Sequence, residues 1–113
     1  MNVHHFGIET NQLEQSIQFY KKLGFNVESE MELLGERLVF LKLQSFRVEL
    51  ALVEESLKLT SNKHIAFEIK NLDEFLREHH DLEISEGPYT FENGWKTVFI
   101  AGPNREIIEL IQL

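Results

Sequence analysis

The chain has 113 residues, 42% of them hydrophobic, no cysteine, and 19 acidic against 11 basic residues for a formal net charge of −8. That size makes one domain, or two very small modules sharing a core; without cysteine there are no disulfides, thiolate nucleophiles or sulfur-ligated metals, so any metal must be held by histidine and carboxylate oxygen. The acidic balance repels phosphate backbones and anionic lipid, which argues against nucleic-acid and membrane partners, and with no signal-peptide pattern and no apolar run near the roughly 20 residues that cross a bilayer, the expected compartment is the cytoplasm.

Residues 3–10 alternate, with Val3, His5, Gly7 and Glu9 on one face and His4, Phe6, Ile8 and Thr10 on the other, which predicts a strand that buries Phe6 and Ile8. Asn11 followed three residues on by Glu14 predicts a capped helix start; Leu13, Ile17 and Tyr20 then recur at helical spacing, and Gly24 ends the helix. FNVESEMEL, ERLVFLKL and FRVELALV predict three strands, joined by turns near Leu34-Gly35 and Gln44-Ser45. The second half repeats this βαβββ order. HIAFEI is an alternating strand, Asn71 with Glu74 caps a second helix faced by Leu72, Phe75 and Leu76, and LEISE, KTVFIA and IIELIQL supply three strands. A turn-rich SEGPYTFENGW and a Gly-Pro-Asn turn separate them, and Asn93-Gly94 is a strong tight-turn dipeptide.

HFGIETNQLEQSI and HIAFEIKNLDEFL match position by position, His5 over His64 at an offset of 64 − 5 = 59, while VELAL over IELIQ sets Glu49 over Glu109 at 109 − 49 = 60. This is the signature of an internal duplication. The fold class expected is therefore α+β, two βαβββ modules within a single domain 1–113, module one over 1–55 and module two over 60–113.

Each duplicated polar residue has a small neighbour on its own face: Gly7 beside His5, Ala66 beside His64, Ala51 beside Glu49. Large apolar side chains point to the opposite face, where the helices pack. One face of the sheet is thus polar and hollow, lined by His5, Glu49, His64 and Glu109. Two neutral imidazoles and two carboxylates make a site of charge −2 that a divalent ion neutralises, and nitrogen with oxygen donors suits Zn, Ni, Co, Mn or Fe. His4 lies on the apolar face and is expected to be a partly buried or end-of-strand residue. His79 and His80 fall at a helix C-terminus, where imidazolium complements the dipole. Glu9 and Glu68 share the ligand face near strand ends, as supports of the ligands or as solvent-facing acids. Tyr20 is expected in the core, and Tyr89, Phe91 and Trp95 in packing around their hairpin. Arg47 shares a face with Glu49, where it would hold an anionic group of a substrate or neutralise Glu49 or Glu9.

HFGIETNQLEQSIQFYKKLGF, RVELALVE, KHIAFEIKNLDE and GWKTVFIAGPNREIIELIQL resemble the vicinal oxygen chelate superfamily, which includes glyoxalase I, extradiol dioxygenases and the fosfomycin- and bleomycin-resistance proteins. The resemblance spans nearly the whole chain. It implies paired βαβββ modules that cup a metal site, assembled as homodimers, with the four ligands of glyoxalase I falling on His5, Glu49, His64 and Glu109. Three-ligand members use the positions of His5, His64 and Glu109 alone. The last turn departs from the family, reading Gly102-Pro103-Asn104-Arg105-Glu106 where Asp-Pro-Asp-Gly-Asn is usual.

The function expected from these readings is a metal-dependent lyase of glyoxalase I type that acts on a small molecule with vicinal oxygens. Glu109 is the first choice of base, Glu49 the second, and Arg47 the substrate-binding cation. Two rivals come from other classes: a metal-free ligand-sequestering protein of bleomycin-resistance type, and another metal-dependent member such as a thiol transferase or dioxygenase.

Overall fold

Why each module folds as it does is clearest at its helix. In a computed structural model that describes residues 1–54, 63–103 and 106–113, α1 (Leu13–Lys22) follows β1 (Asn2–Thr10) and buries Leu13 and Ile17. Asn11 does not cap it. Thr10, at the end of the strand, accepts from the Gln12 amide through its hydroxyl at 2.9 Å, and Gln12 takes the N-cap position with no side-chain cap bond. The hydroxyl turn at Thr10 competes with the Asn11 cap and moves the helix start by one residue. At the other end Gly24 adopts φ +104, a left-handed conformation that costs glycine nothing, and its amide closes on Lys21 O.

The strands β2 (Asn26–Leu33), β3 (Glu36–Leu43) and β4 (Phe46–Leu52) follow as antiparallel neighbours, and β4 lies parallel to β1, giving the order β2-β3-β4-β1. The two hairpins turn at Leu34-Gly35 and at Gln44-Ser45, as the sequence predicts. Val39, Leu41, Val48 and Leu50 point to one side of this sheet and pack with Leu13, Ile17 and Phe25; Ile8 and Tyr20 close the cluster. Phe6 and Ile8 are half-buried rather than fully covered. Burying each such side chain contributes about 1.5–3 kcal/mol, which makes this layer the source of the module's stability.

The second half repeats the plan with β5 (Lys63–Glu68), α2 (Leu72–Glu78), β6 (Glu83–Thr90), β7 (Lys96–Ala101) and β8 (Ile107–Gln112) in the order β5-β8-β7-β6. Here the cap is the one the sequence indicates: Asn71 Oδ1 accepts from the Glu74 amide at 2.9 Å. Gln112 Oε1 accepts from the Leu72 amide at 2.7 Å, so β8 also pins the start of the helix. Ile69, Leu72, Val98, Ile100 and Leu110 form the core, joined by Phe67, Phe75 and Leu76.

One element is longer than the sequence indicates. LEISE followed by a turn-rich stretch predicts that the strand stops near Glu86, whereas β6 runs on to Thr90 through register shifts at Ile84/Glu86 and Glu86/Tyr89. Gly87 takes φ +91 there, and a side chain at this position would stand 3.2 Å from Thr97 O. The irregular ladder absorbs Gly87 and Pro88 because β6 is the last strand in its order, where a proline without an N–H breaks no second ladder.

The chain divides into two compact units, His5–Lys63, and Met1–His4 together with His64–Leu113. The expected module boundaries at 55 and 60, and Asn104 and Arg105 of the last turn, lie outside the described residues.

Candidate metal centre

In the unit His5–Lys63, strand register sets the polar face. Gly7 of β1 stands opposite Glu49 of β4, and Phe40 of β3 stands opposite Glu49 from the other side. His5, two residues before Gly7, therefore shares its face. Its Nε2 lies 3.6 Å from Glu49 Oε1, and its ring meets the Phe40 ring edge-on at 5.4 Å between centroids. His5 is 1% exposed and Glu49 5%, rare burial for side chains of these types.

The unit holding His64–Leu113 contains the same arrangement. Ala66 stands opposite Glu109 in the β5–β8 ladder, and Phe99 of β7 faces Glu109 from the other side. His64 Nε2 and Glu109 Oε1 are 3.0 Å apart, and the His64 ring meets Phe99 edge-on at 5.6 Å. Glu109 is 1% exposed, while His64 keeps one side open.

These separations fit a shared cation. With metal–ligand bonds of about 2.1 Å, two donors at a right angle stand about 3.0 Å apart and at the tetrahedral angle about 3.4 Å. The separations of 3.0 and 3.6 Å lie at the lower end and just beyond the upper end of that range, and the shorter one is also a hydrogen-bond distance. A buried carboxylate is otherwise costly to desolvate, and a cation would compensate that cost in both halves.

Three contributors escaped the sequence reading. Phe40 and Phe99 repeat at the same offset as the histidines, 99 − 40 = 59; aligning LVFL with TVFI would have found them. The third, Thr97, has no such partner: its hydroxyl donates to Glu109 Oε2 at 2.5 Å, whereas the matching position of the first half is Leu38. Thr97 is fully buried.

The remaining candidates fall elsewhere. Arg47 grips Glu28 with two hydrogen bonds, Nε to Oε1 at 2.6 Å and Nη2 to Oε2 at 3.0 Å. The hydrogen bond from Arg47, and then its charge, hold the Glu28 carboxyl below the usual carboxylate value against an opposing effect of partial burial. His4 is more deeply buried than expected, at 3%, with its ring edge-on to Trp95 at 5.5 Å. Trp95 in turn meets Phe91 at 5.8 Å, the hairpin packing that the sequence indicates, and Tyr89 donates to Glu86 Oε1 at 2.8 Å. His79 stacks on Phe75 at the exit of α2 and His80 is exposed. Glu9 and Glu68 are half-buried; Glu68 lines a cavity of about 530 Å³ with Met1, Lys70 and the start of α2.

Fold and site together define an α+β protein of two βαβββ modules, each presenting a histidine beside a buried glutamate on matched strands. The sequence profile of the Glyoxalase/Bleomycin resistance protein/Dioxygenase superfamily matches residues 2–110, and the chain belongs to that superfamily. Among solved structures it resembles a hypothetical protein from Bacillus halodurans C-125, with 22% identity, coverage of 99% of this chain and 94% of the other, and a TM-score of 0.80. A glyoxalase/bleomycin resistance protein/dioxygenase superfamily member from Vibrio splendidus 12B01 shares 16% identity over 96% of this chain and 97% of its own, with a TM-score of 0.70. The 2,3-dioxygenase LapB from Pseudomonas sp. KL28 shares 13% over 98% of this chain and 42% of its own, with a TM-score of 0.66. At these identities the likeness is one of fold. No curated protein matches the chain in sequence. No helix among the described residues is long and apolar enough to cross a membrane.

Proposed function

We propose that this chain, a single glyoxalase-like domain, is a metal-dependent lyase of glyoxalase I type that takes a small substrate with vicinal oxygens. The observation that carries the reading is the repeated histidine–glutamate pair, its carboxylate buried in each half, at a separation a first-row divalent ion spans. In this reading His5 with Glu49 in one half, and His64 with Glu109 in the other, would supply the ligands, and the presence of Glu49 favours the four-ligand pattern over the three-ligand one. Zn, Ni, Co, Mn and Fe all suit these donors.

When bound, the ion would supply Lewis-acid stabilisation of the negative charge that develops on a substrate oxygen as the neighbouring carbon loses its proton. The proton itself goes to a carboxylate, Glu109 or Glu49, both of which are shielded from bulk water. The edge-on rings of Phe40 and Phe99 limit access of water to each pair. Arg47, which shares a strand face with Glu49, would be the cation that meets an anionic group of the substrate, in exchange for part of its grip on Glu28. The protein works in this reading as a cytoplasmic homodimer.

The test begins with metal analysis of protein purified without chelator, alongside His5→Ala and His64→Ala. The reading expects about one ion per chain in the parent and a deficit in both variants. Methylglyoxal turnover is then assayed with several thiols on metal-loaded protein. An ion-loaded chain inert towards every thiol ends the lyase assignment and leaves the ion site standing; a parent chain that takes up no ion ends both and favours a sequestering cleft.

A further inference from the structure

We infer that Thr97 is a positioning residue for Glu109: its hydroxyl holds Oε2 and so fixes Glu109 as a single-oxygen ligand that presents Oε1 beside His64. The inference rests on the ion-site reading above and adds to it a residue that touches no ion. Thr97 Oγ1 lies 2.5 Å from Glu109 Oε2 and 3.3 Å from Leu110 O. A hydroxyl carries one proton, and the shorter contact to a charged acceptor takes it. Glu109 is thereby engaged at both oxygens by different side chains, Oε2 by Thr97 and Oε1 by His64 at 3.0 Å. A carboxylate held in this way has lost free rotation about its last torsion, so its outward oxygen is set before any ion arrives.

The strand register explains why Thr97 is placed for this. Phe99 faces Glu109 across the β7–β8 ladder, and Thr97 lies two positions back on the same face of β7, fully buried. In the first half Phe40 faces Glu49 in the same way, but the position two back is Leu38, which has no donor to give. The duplication therefore supplies a hydroxyl to one carboxylate and a hydrocarbon beside the other. A core packing role alone would be met by valine, which has the shape of threonine, or by the leucine that the other half uses.

The experiment titrates metal-free protein with Co²⁺, following its visible absorption, and measures affinity by chelator competition for the parent, Thr97→Val and Thr97→Ser. Hydrogen-bonding partners of metal ligands typically set affinity by about 10–100-fold. The valine variant is expected to lose affinity in that range with an altered Co²⁺ spectrum, while serine, which keeps the hydroxyl, stays within about threefold of the parent. Thermal midpoints of the three metal-free proteins separate packing from positioning. Should valine bind Co²⁺ within twofold of the parent, or should serine lose as much as valine, the hydroxyl has no positioning role and the inference is overturned. A parent that binds no Co²⁺ removes the ion site itself, which is a different result from a parent that binds and a valine variant that binds equally well. If the valine variant does not fold, the serine comparison decides: a loss beyond threefold overturns the inference and affinity within threefold supports it.

Discussion

Gly7 and Glu49 face each other in one parallel ladder as Ala66 and Glu109 do in the other. Opposite each buried carboxylate, in both halves, stands one of the two smallest residues. Space on that face is thus set by backbone register rather than by a loop. Ala66→Leu should place a branched side chain next to Glu109, lowering stability by about 1–3 kcal/mol through overpacking and abolishing Co²⁺ uptake. Denaturant midpoints and the Co²⁺ titration check the two effects separately; a leucine variant that still binds Co²⁺ at the parent's affinity would show that the site does not use this space.

Glu109 is a carboxyl group held almost entirely away from water. In metal-free protein burial of the carboxylate form is unfavourable, while in metal-loaded protein that form would be a ligand. Glu109→Gln should therefore raise metal-free stability by on the order of 1 kcal/mol and remove most of the stabilisation that added Zn²⁺ gives the parent. Thermal melts with and without Zn²⁺ provide both numbers, and equal Zn²⁺-induced shifts in parent and variant would exclude Glu109 as a ligand.

The Arg47–Glu28 pair supplies a pH dependence with a definite sign. The folded-state carboxyl of Glu28 lies below its ordinary value of 4.5, chiefly through the hydrogen bond from Arg47. Its contribution is present above the unfolded value and is lost as pH falls through the lowered folded value. Both side chains are partly exposed, so the contribution is at most about 1 kcal/mol and weakens with salt. In urea melts from pH 7 down to pH 3, Glu28→Gln should be less stable than the parent at neutral pH, with the gap closing only below the usual carboxylate range. A gap independent of pH would rule out the ionic contribution.

Leu34 sits at a hairpin tip with φ +53 and is 69% exposed. A branched side chain in this conformation costs about 1–2 kcal/mol, whereas asparagine enters it readily. Leu34→Asn should raise the thermal midpoint, corresponding to about 0.5–1 kcal/mol, without change in Co²⁺ affinity. An unchanged or lower midpoint would mean that Leu34 makes an apolar contact that repays its strain.

Much of this architecture was legible because the same pattern occurs twice. Alternation around His5 and His64 assigns their faces, and the matched VEL and IEL strands place both glutamates on the polar side; the ladders reproduce those faces residue by residue. The misses came where a competing interaction was local. Thr10 accepts from the Gln12 amide in a local turn and the helix starts one residue later than a cap at Asn11 would set it, and β6 continued through Gly87-Pro88 by shifting register, which period-two counting reads as a strand end. Thr97 could not be read from the repeat because its counterpart is Leu38, and a break in a repeat looks, in one sequence, like simple drift. Arg47 shares a face with Glu49 by strand alternation, but its partner Glu28 is on β2, and cross-strand pairs need the register that only the fold provides.

Trp95 is the sole tryptophan, and it lies, with His4 and Phe91 that its ring meets, in the unit that contains His64–Leu113. Its emission therefore reports on the unit that contains His64–Leu113, whereas circular dichroism averages over both. Melting curves that coincide for the two signals would identify a single cooperative transition, and curves that separate would reveal which half of the duplication gives way first.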